Sequence, residues 1–220
     1  MPDAVLDSQI LLAQLEFLYS VEPEAALDKL RGIAEKGAVQ AQVALGVLLA
    51  AKSNSRFFNP DEALHFFQQA AKRNSHDALI GQAACIIENQ DVFGDRPELL
   101  KNAWDDIEAL VIAQNPAATY YKAVFMLNSG GAGRDREQAL QLLDELAALH
   151  AHIPDYSADN RNFTPGMVLP AQCFAKEVVL SNYLLGSWYV DRHEYETARG
   201  YLQRKTQRNH APSMVLLESL

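Results

Sequence analysis

Pro23-Glu-Ala-Ala-Leu27 returns as Pro60-Asp-Glu-Ala-Leu64, and a third version, Pro97-Glu-Leu-Leu-Lys101, follows at the same interval of 37 residues. Two further copies lack the proline: Glu137-Gln-Ala-Leu140 and Glu194-Tyr-Glu-Thr-Ala198. A proline with acidic neighbours is what a first helical turn accepts. Pro has no N–H to leave unpaired, and carboxylates favour the positive pole of the helix. Downstream of each start, apolar residues recur at helical spacing: Ala26, Leu27, Leu30, Ile33 and Ala34 in one copy, Ala63, Leu64, Phe67, Ala70 and Ala71 in the next. Each helix is expected to end in a short polar break, Glu35-Lys-Gly37 or Lys72-Arg-Asn74, whose Gly or Asn takes the left-handed cap.

A second helix is expected after each break, over Val39–Ala51, His76–Glu88 and Pro116–Leu127. These segments carry small residues, Ala41, Ala44 and Gly46 in one and Ala78, Gly81, Ala83 and Ala84 in another, which let paired helices approach closely. Fixed-period helix pairs that bury a common seam describe a stacked array. The spacing predicts an all-α chain of about ten helices. Ser8–Tyr19 is read as an N-terminal cap and His210–Leu220 as a short closing helix.

Two stretches carry a family resemblance. Ala34-Glu-Lys-Gly-Ala-Val-Gln-Ala-Gln-Val-Ala-Leu-Gly46 resembles the middle of a Sel1-like repeat, a relative of the tetratricopeptide repeat. Ser129-Gly-Gly-Ala-Gly-Arg-Asp-Arg-Glu-Gln-Ala-Leu140 resembles that family's Gly-rich turn and Asp-x-x-x-Ala helix opening. Copies two and three lack the turn glycines. The resemblance covers residues 22 to about 150, and 192–220 more loosely. It implies an α-solenoid of stacked antiparallel pairs whose concave face binds a protein or peptide. Proteins similar to this family act as adaptors in bacterial signalling, secretion or envelope assembly, or as neutralising partners of toxins.

The chain is read as one repeat domain over residues 1–220: a cap at 1–21, helix pairs at 22–151, an inserted loop at 152–170 and C-terminal helices at 171–220. Between Ala139 and Ala198 the interval is 59 rather than 37 residues. The excess falls in Ile153-Pro-Asp-Tyr-Ser-Ala-Asp-Asn-Arg-Asn-Phe-Thr-Pro-Gly-Met-Val-Leu-Pro170, a polar stretch punctuated by proline. Loops of this length are functional or mobile in compact folds. Tyr156, Arg161 and Phe163 are residue types that anchor interfaces. Expected partner contacts on the first helix of each pair are Lys29, Phe66, Gln69, Asp105 and Gln141, with Phe66 the outward ring of its doublet.

Composition narrows the function. Hydrophobic residues make up 49% and charged residues 21% of the 220 positions, which supports a packed core. A net charge of -9 repels phosphate backbones and argues against nucleic acid. The local basic run Arg199, Arg204, Lys205 and Arg208 is read as a helix end meeting the negative dipole pole. Cys85 and Cys173 form no metal or disulfide motif and are expected as inert thiols in a reducing compartment. No Lys or Arg precedes Lys29, which argues against a secretory leader, and no run approaches a membrane span, so the expected location is cytoplasmic.

No catalytic constellation is found. His150-Ala-His152 with Asp155 matches no structural zinc spacing, and Ser129–Gly133 is followed by no Gly-Lys-Ser/Thr. Asp105-Asp106 with Glu108 is a carboxylate cluster on a helix, and the adjacent pair points in different directions, which argues against a catalytic acid–base pair. The expectation is a non-catalytic scaffold with no metal and no cofactor. Two alternatives stay open. One is a metal- or ligand-dependent enzyme or sensor built on residues 150–170. The other is a homodimer through the apolar 171–190 helix.

Overall fold

The computed structural model describes residues 2–20, 22–128, 133–148, 168–204 and 210–220, and among them it contains twelve α-helices, one 3₁₀ turn and no strand. The chain divides into two compact units, Met1–Ala109 and Leu110–Leu220.

The first unit opens with α1 (Pro2–Tyr19), α2 (Pro23–Glu35) and α3 (Val39–Ala50). A 3₁₀ turn at Lys52–Asn54 leads to α4 (Pro60–Ala71), α5 (His76–Glu88), α6 (Gln90–Phe93) and α7 (Pro97–Ile112). The repeated prolines do open α2, α4 and α7. Before α4, the Asn59 side chain accepts from the Glu62 N–H at 3.2 Å, taking up one of the unpaired donors of a helix start. Ser75 does the same for α5 through the Ala78 N–H. Gly37 and Asn74 turn the chain in the left-handed region, at φ 90° and 59°, as the polar breaks predict.

Packing in this unit follows chain order, with each helix from α1 to α5 against the next. Residues 37 positions apart share a fate: Ala26 and Ala63, Leu27 and Leu64, Leu30 and Phe67, and Ala41 and Ala78 are all buried. The Phe67 ring sits where α3 and α5 approach α4. A Cβ at Gly46 of α3 would lie 2.7 Å from this ring, and one at Gly81 of α5 would lie 2.3 Å from it. Only glycine leaves room for the ring at both places, and full burial of such a side chain stabilises by about 1.5–3 kcal/mol.

Polar ties cross the same distance. Arg31 meets Glu62 at 2.9 Å, Arg96 meets Asp61 at 2.9 Å, Lys52 meets Asp91 at 2.7 Å, and Arg56 pairs with Glu24. Arg73 donates to the Gly37 carbonyl at 2.5 Å, joining the turn after α4 to the turn after α2. Exposed pairs of this kind contribute about 0–1 kcal/mol each, so their main effect is on register.

The second unit holds α8 (Pro116–Asn128), α9 (Gly133–Ala148), α10 (Val168–Asp191), α11 (Tyr195–Leu202) and α12 (Ala211–Glu218). α10 packs against α8, α9, α11 and α12, and its Val178 and Leu185 are buried with Leu143 and Leu146 of α9. Gly186 of α10 admits Leu202, whose side chain would lie 2.6 Å from an added Cβ. The Tyr201 hydroxyl donates to Asp144 at 2.8 Å, and Tyr201 stacks on Tyr189 with centroids 5.6 Å apart.

Three expectations need correction. Among the described residues the helices number twelve rather than about ten, partly because Gln90–Phe93 closes a turn of its own over the fully buried Phe93. α1 begins at Pro2, not Ser8. α10 begins at Val168, inside the stretch read as loop, because Pro170 falls in a first helical turn where its missing N–H costs nothing.

Candidate partner-binding surface

Apolar residues lie on opposite sides of α1, so its sequence alone leaves its orientation open. The structure fixes it: Ile10, Ala13 and Phe17 are buried, with Phe17 edge-on to Phe57 at 5.2 Å. On the opposite side Val5, Leu11, Leu12 and Leu18 are each more than half exposed, Leu15 is 45% exposed and Tyr19 83% exposed.

Between α1 and α2 lies an open groove of about 370 Å³. Ala13, Gly32 and Ile33 form its floor, and Leu12, Glu16, Lys29 and Lys36 its rim. Gly32 helps keep the groove open, since a Cβ there would meet nothing within 4 Å. Lys29 and Lys36 lie two helical turns apart on one side of α2. Lys29 reaches across to Glu16 at 2.8 Å, while Lys36 is exposed at the end of the helix. The groove therefore joins an apolar floor to a rim of mixed charge, in which Glu16 and Asp28 accompany Lys29 and Lys36.

A second groove, of about 410 Å³, lies in the other unit against α10. Its rim mixes Arg136, Asp191 and Arg192, and Arg192 rests 4.6 Å from the centre of the Trp188 ring.

The expected contacts are dispersed. Lys29 is exposed and borders the first groove. Phe66 is buried at 5% exposure, contrary to the expectation of an outward ring, because α4 is covered by α3 and α5 and both rings of its doublet face a neighbour. Gln69 is half-buried. Its Oε1 accepts from the buried Gln42 at 3.0 Å, and its Nε2 lies 2.6 Å from the His65 ring nitrogen, so it serves the joint between α3 and α4. Asp105 and Gln141 are exposed, and Gln141 donates to Glu145 at 2.9 Å. Tyr156, Arg161 and Phe163 lie outside the described residues, as do His150, His152 and Asp155.

Of the basic run, Arg199 is in the last turn of α11 and donates to the Leu220 carbonyl at 2.7 Å. Arg204 donates to the Ala147 carbonyl at 3.2 Å. Both guanidiniums act within their own unit, and Lys205 and Arg208 lie outside the described residues. The stretch 177–190 of α10 presents none of the large exposed apolar side chains, since the helix is taken up by the core of its unit. Among the described residues, six of the large exposed apolar side chains lie on α1.

Perturbed groups are scattered. Burial, with a smaller effect of Glu88, pushes the Cys85 thiol up to about 12. Burial and the Asp144 carboxylate push Tyr201 up to about 12. Burial, and secondarily Asp105, raises Asp106, while burial lowers His210. Among the described residues no group of three or more His, Cys, Asp or Glu side chains is placed to hold a metal ion, and no helix is long and apolar enough to cross a membrane. No protein-family model, curated protein or solved structure matches this chain.

Proposed function

We propose that this chain is a non-catalytic adaptor, an α-solenoid of Sel1-like helix pairs that holds a protein or peptide partner. Three features support the solenoid reading: helix packing in chain order, the shared burial of residues 37 positions apart, and ion pairs spanning about one repeat. The groove between α1 and α2 carries the binding reading. An apolar side chain of the partner enters over Gly32 and Ile33, and an adjacent carboxylate meets Lys36, Lys29 being already paired with Glu16. Concave, mostly apolar sites with a few placed charges are the usual form of a recognition pocket.

The test is to fill the groove. Gly32→Leu places a side chain where a Cβ meets no neighbour, so the helix is retained and the groove is closed. Parent and variant are immobilised, challenged with host lysate and read by quantitative mass spectrometry. A protein enriched by the parent, lost with Gly32→Leu and weakened by Lys36→Glu is the expected result. Equal enrichment by all three, with unchanged helicity, refutes the groove as the binding site.

A further inference from the structure

We infer that the outward face of α1 is the two-fold interface of a dimer of this chain. At 100° per residue, Leu18, Leu11, Leu15, Tyr19, Leu12 and Val5 fill an arc of roughly 140° on the side away from the buried Ile10, Ala13 and Phe17. The polar residue within the arc, Ser8, donates its hydroxyl to the Ala4 carbonyl of the same helix at 2.8 Å, so covering it leaves no donor stranded. Asp7 and Glu16 fall at the two edges, and Glu16 is already held by Lys29. The face is thus free of charge along its length on a chain of net charge -9.

The area suffices for a dimer. From the fractional exposures, these six side chains expose about 600 Å² or more per copy. Two copies meeting there bury about 1,200 Å², the lower end of stable protein interfaces. The roughly 600 Å² on a single copy is also at the upper end of the largest apolar patch of an ordinary monomer, roughly 300–600 Å².

A two-fold contact requires a surface complementary to itself. An antiparallel meeting of two copies of α1 about the Leu12–Leu15 centre provides this, because Leu11, Leu12 and Leu15 of one copy face Leu15 and Leu12 of the other. Tyr19 of each then lies over the small Ser8 of its mate. The α1–α2 groove borders this arc only at Leu12, so the inference stands apart from the proposed partner site.

Light scattering on the full chain across a dilution series tests the proposal. The expected mass plateaus at twice the chain's 24.4 kDa and falls to one copy on dilution. Leu15→Glu, a change at a solvent-exposed position, is expected to weaken association roughly a hundred-fold or more with unchanged helicity, since it places like charges together in a covered contact. Val47→Glu changes another exposed apolar residue, on α3, and is expected to leave the dimer intact. Mixing Leu15→Glu with Leu15→Lys restores a two-copy mass, which a merely unfolded α1 does not allow.

Several results overturn the proposal. One is a single-copy mass for the parent at every concentration, which returns the arc to another partner. A mass that rises without a plateau, a dimer that survives Leu15→Glu, or a charge-swapped mixture that stays monomeric does the same.

Discussion

Gly81→Ala isolates the packing of α3 and α5 around Phe67 of α4. Its new methyl would stand 2.3 Å from Cε1 and 2.8 Å from Cδ1 and Cζ of Phe67, closer than any Cβ contact tolerates. The ring cannot simply retreat, because Gly46 already flanks the same atoms. Forcing an extra methyl into a filled core costs about 1–3 kcal/mol. Alanine in place of a mid-helix glycine returns about 1 kcal/mol. With backbone glycines on both approaches, the upper part of the range applies, and the expected net loss is about 2 kcal/mol, or roughly 4–8 °C in Tm for a chain of this size.

Gly200→Ala is the control, since a Cβ there meets nothing within 4 Å and only the helix gain remains, up to about 1 kcal/mol. The double variant Phe67→Leu with Gly81→Ala supplies the coupling. Thermal and urea unfolding are expected to show it more stable than the sum of its singles by about 1 kcal/mol. A Gly81→Ala variant that melts higher than the parent, or a double variant that is strictly additive, refutes the argument.

Three other perturbations address single sites. Asn59→Ala removes the cap on α4 and is expected to cost about 1 kcal/mol in urea unfolding. Cys85 is 1% exposed, with its Sγ 3.6 Å from the Pro60 carbonyl. In a Cys173→Ser background it is expected to resist a thiol reagent at pH 8 while folded and to react fully once denatured. Fast labelling of the folded chain contradicts its burial.

His210 lies below the ordinary value of 6.5 because burial disfavours its charged form. The unfolded chain therefore binds the extra proton first. The contribution of His210 is complete above pH 6.5 and is lost as pH falls through the lower folded value. Between pH 7.5 and 5, the parent is expected to lose more thermal stability than His210→Gln, which keeps a polar group near Ser213 without a titrating ring. Equal losses in both remove His210 as the cause.

Much of the helical layout was legible because the signals were local. Pro at a first helical position, a side-chain cap and a left-handed Gly37 or Asn74 each state a boundary without reference to the rest of the fold. Phase was harder to read. Phe66 and Phe67 both suit a buried helix face, and only the presence of neighbours on two sides of α4 decides that neither ring is outward. α1 has apolar residues on opposite sides, so its pattern does not reveal that Ile10, Ala13 and Phe17 face in while Leu11, Leu15 and Leu18 face out. Pro170 misleads for a different reason. The same residue that breaks a helix interior is harmless in a first turn, and which of these applies depends on where α10 begins. The Gln42–Gln69 contact joins side chains 27 residues apart on different helices and has no local signature.

The character of α1 lies in how it differs from the helices behind it. Inside the first unit, successive helix pairs combine apolar packing with polar ties, as between Arg31 and Glu62 or Arg96 and Asp61. The outer arc of α1 offers the apolar part alone: Asp7 lies at one edge, and Glu16 at the other is already engaged by Lys29 from within. A different helix docking there would find the packing surface but only Asp7 at its edges to set an ionic register. A two-fold contact has no such need, because the symmetry axis itself fixes the register and Leu12 and Leu15 supply both sides of the contact. The arc is therefore well matched to a copy of itself.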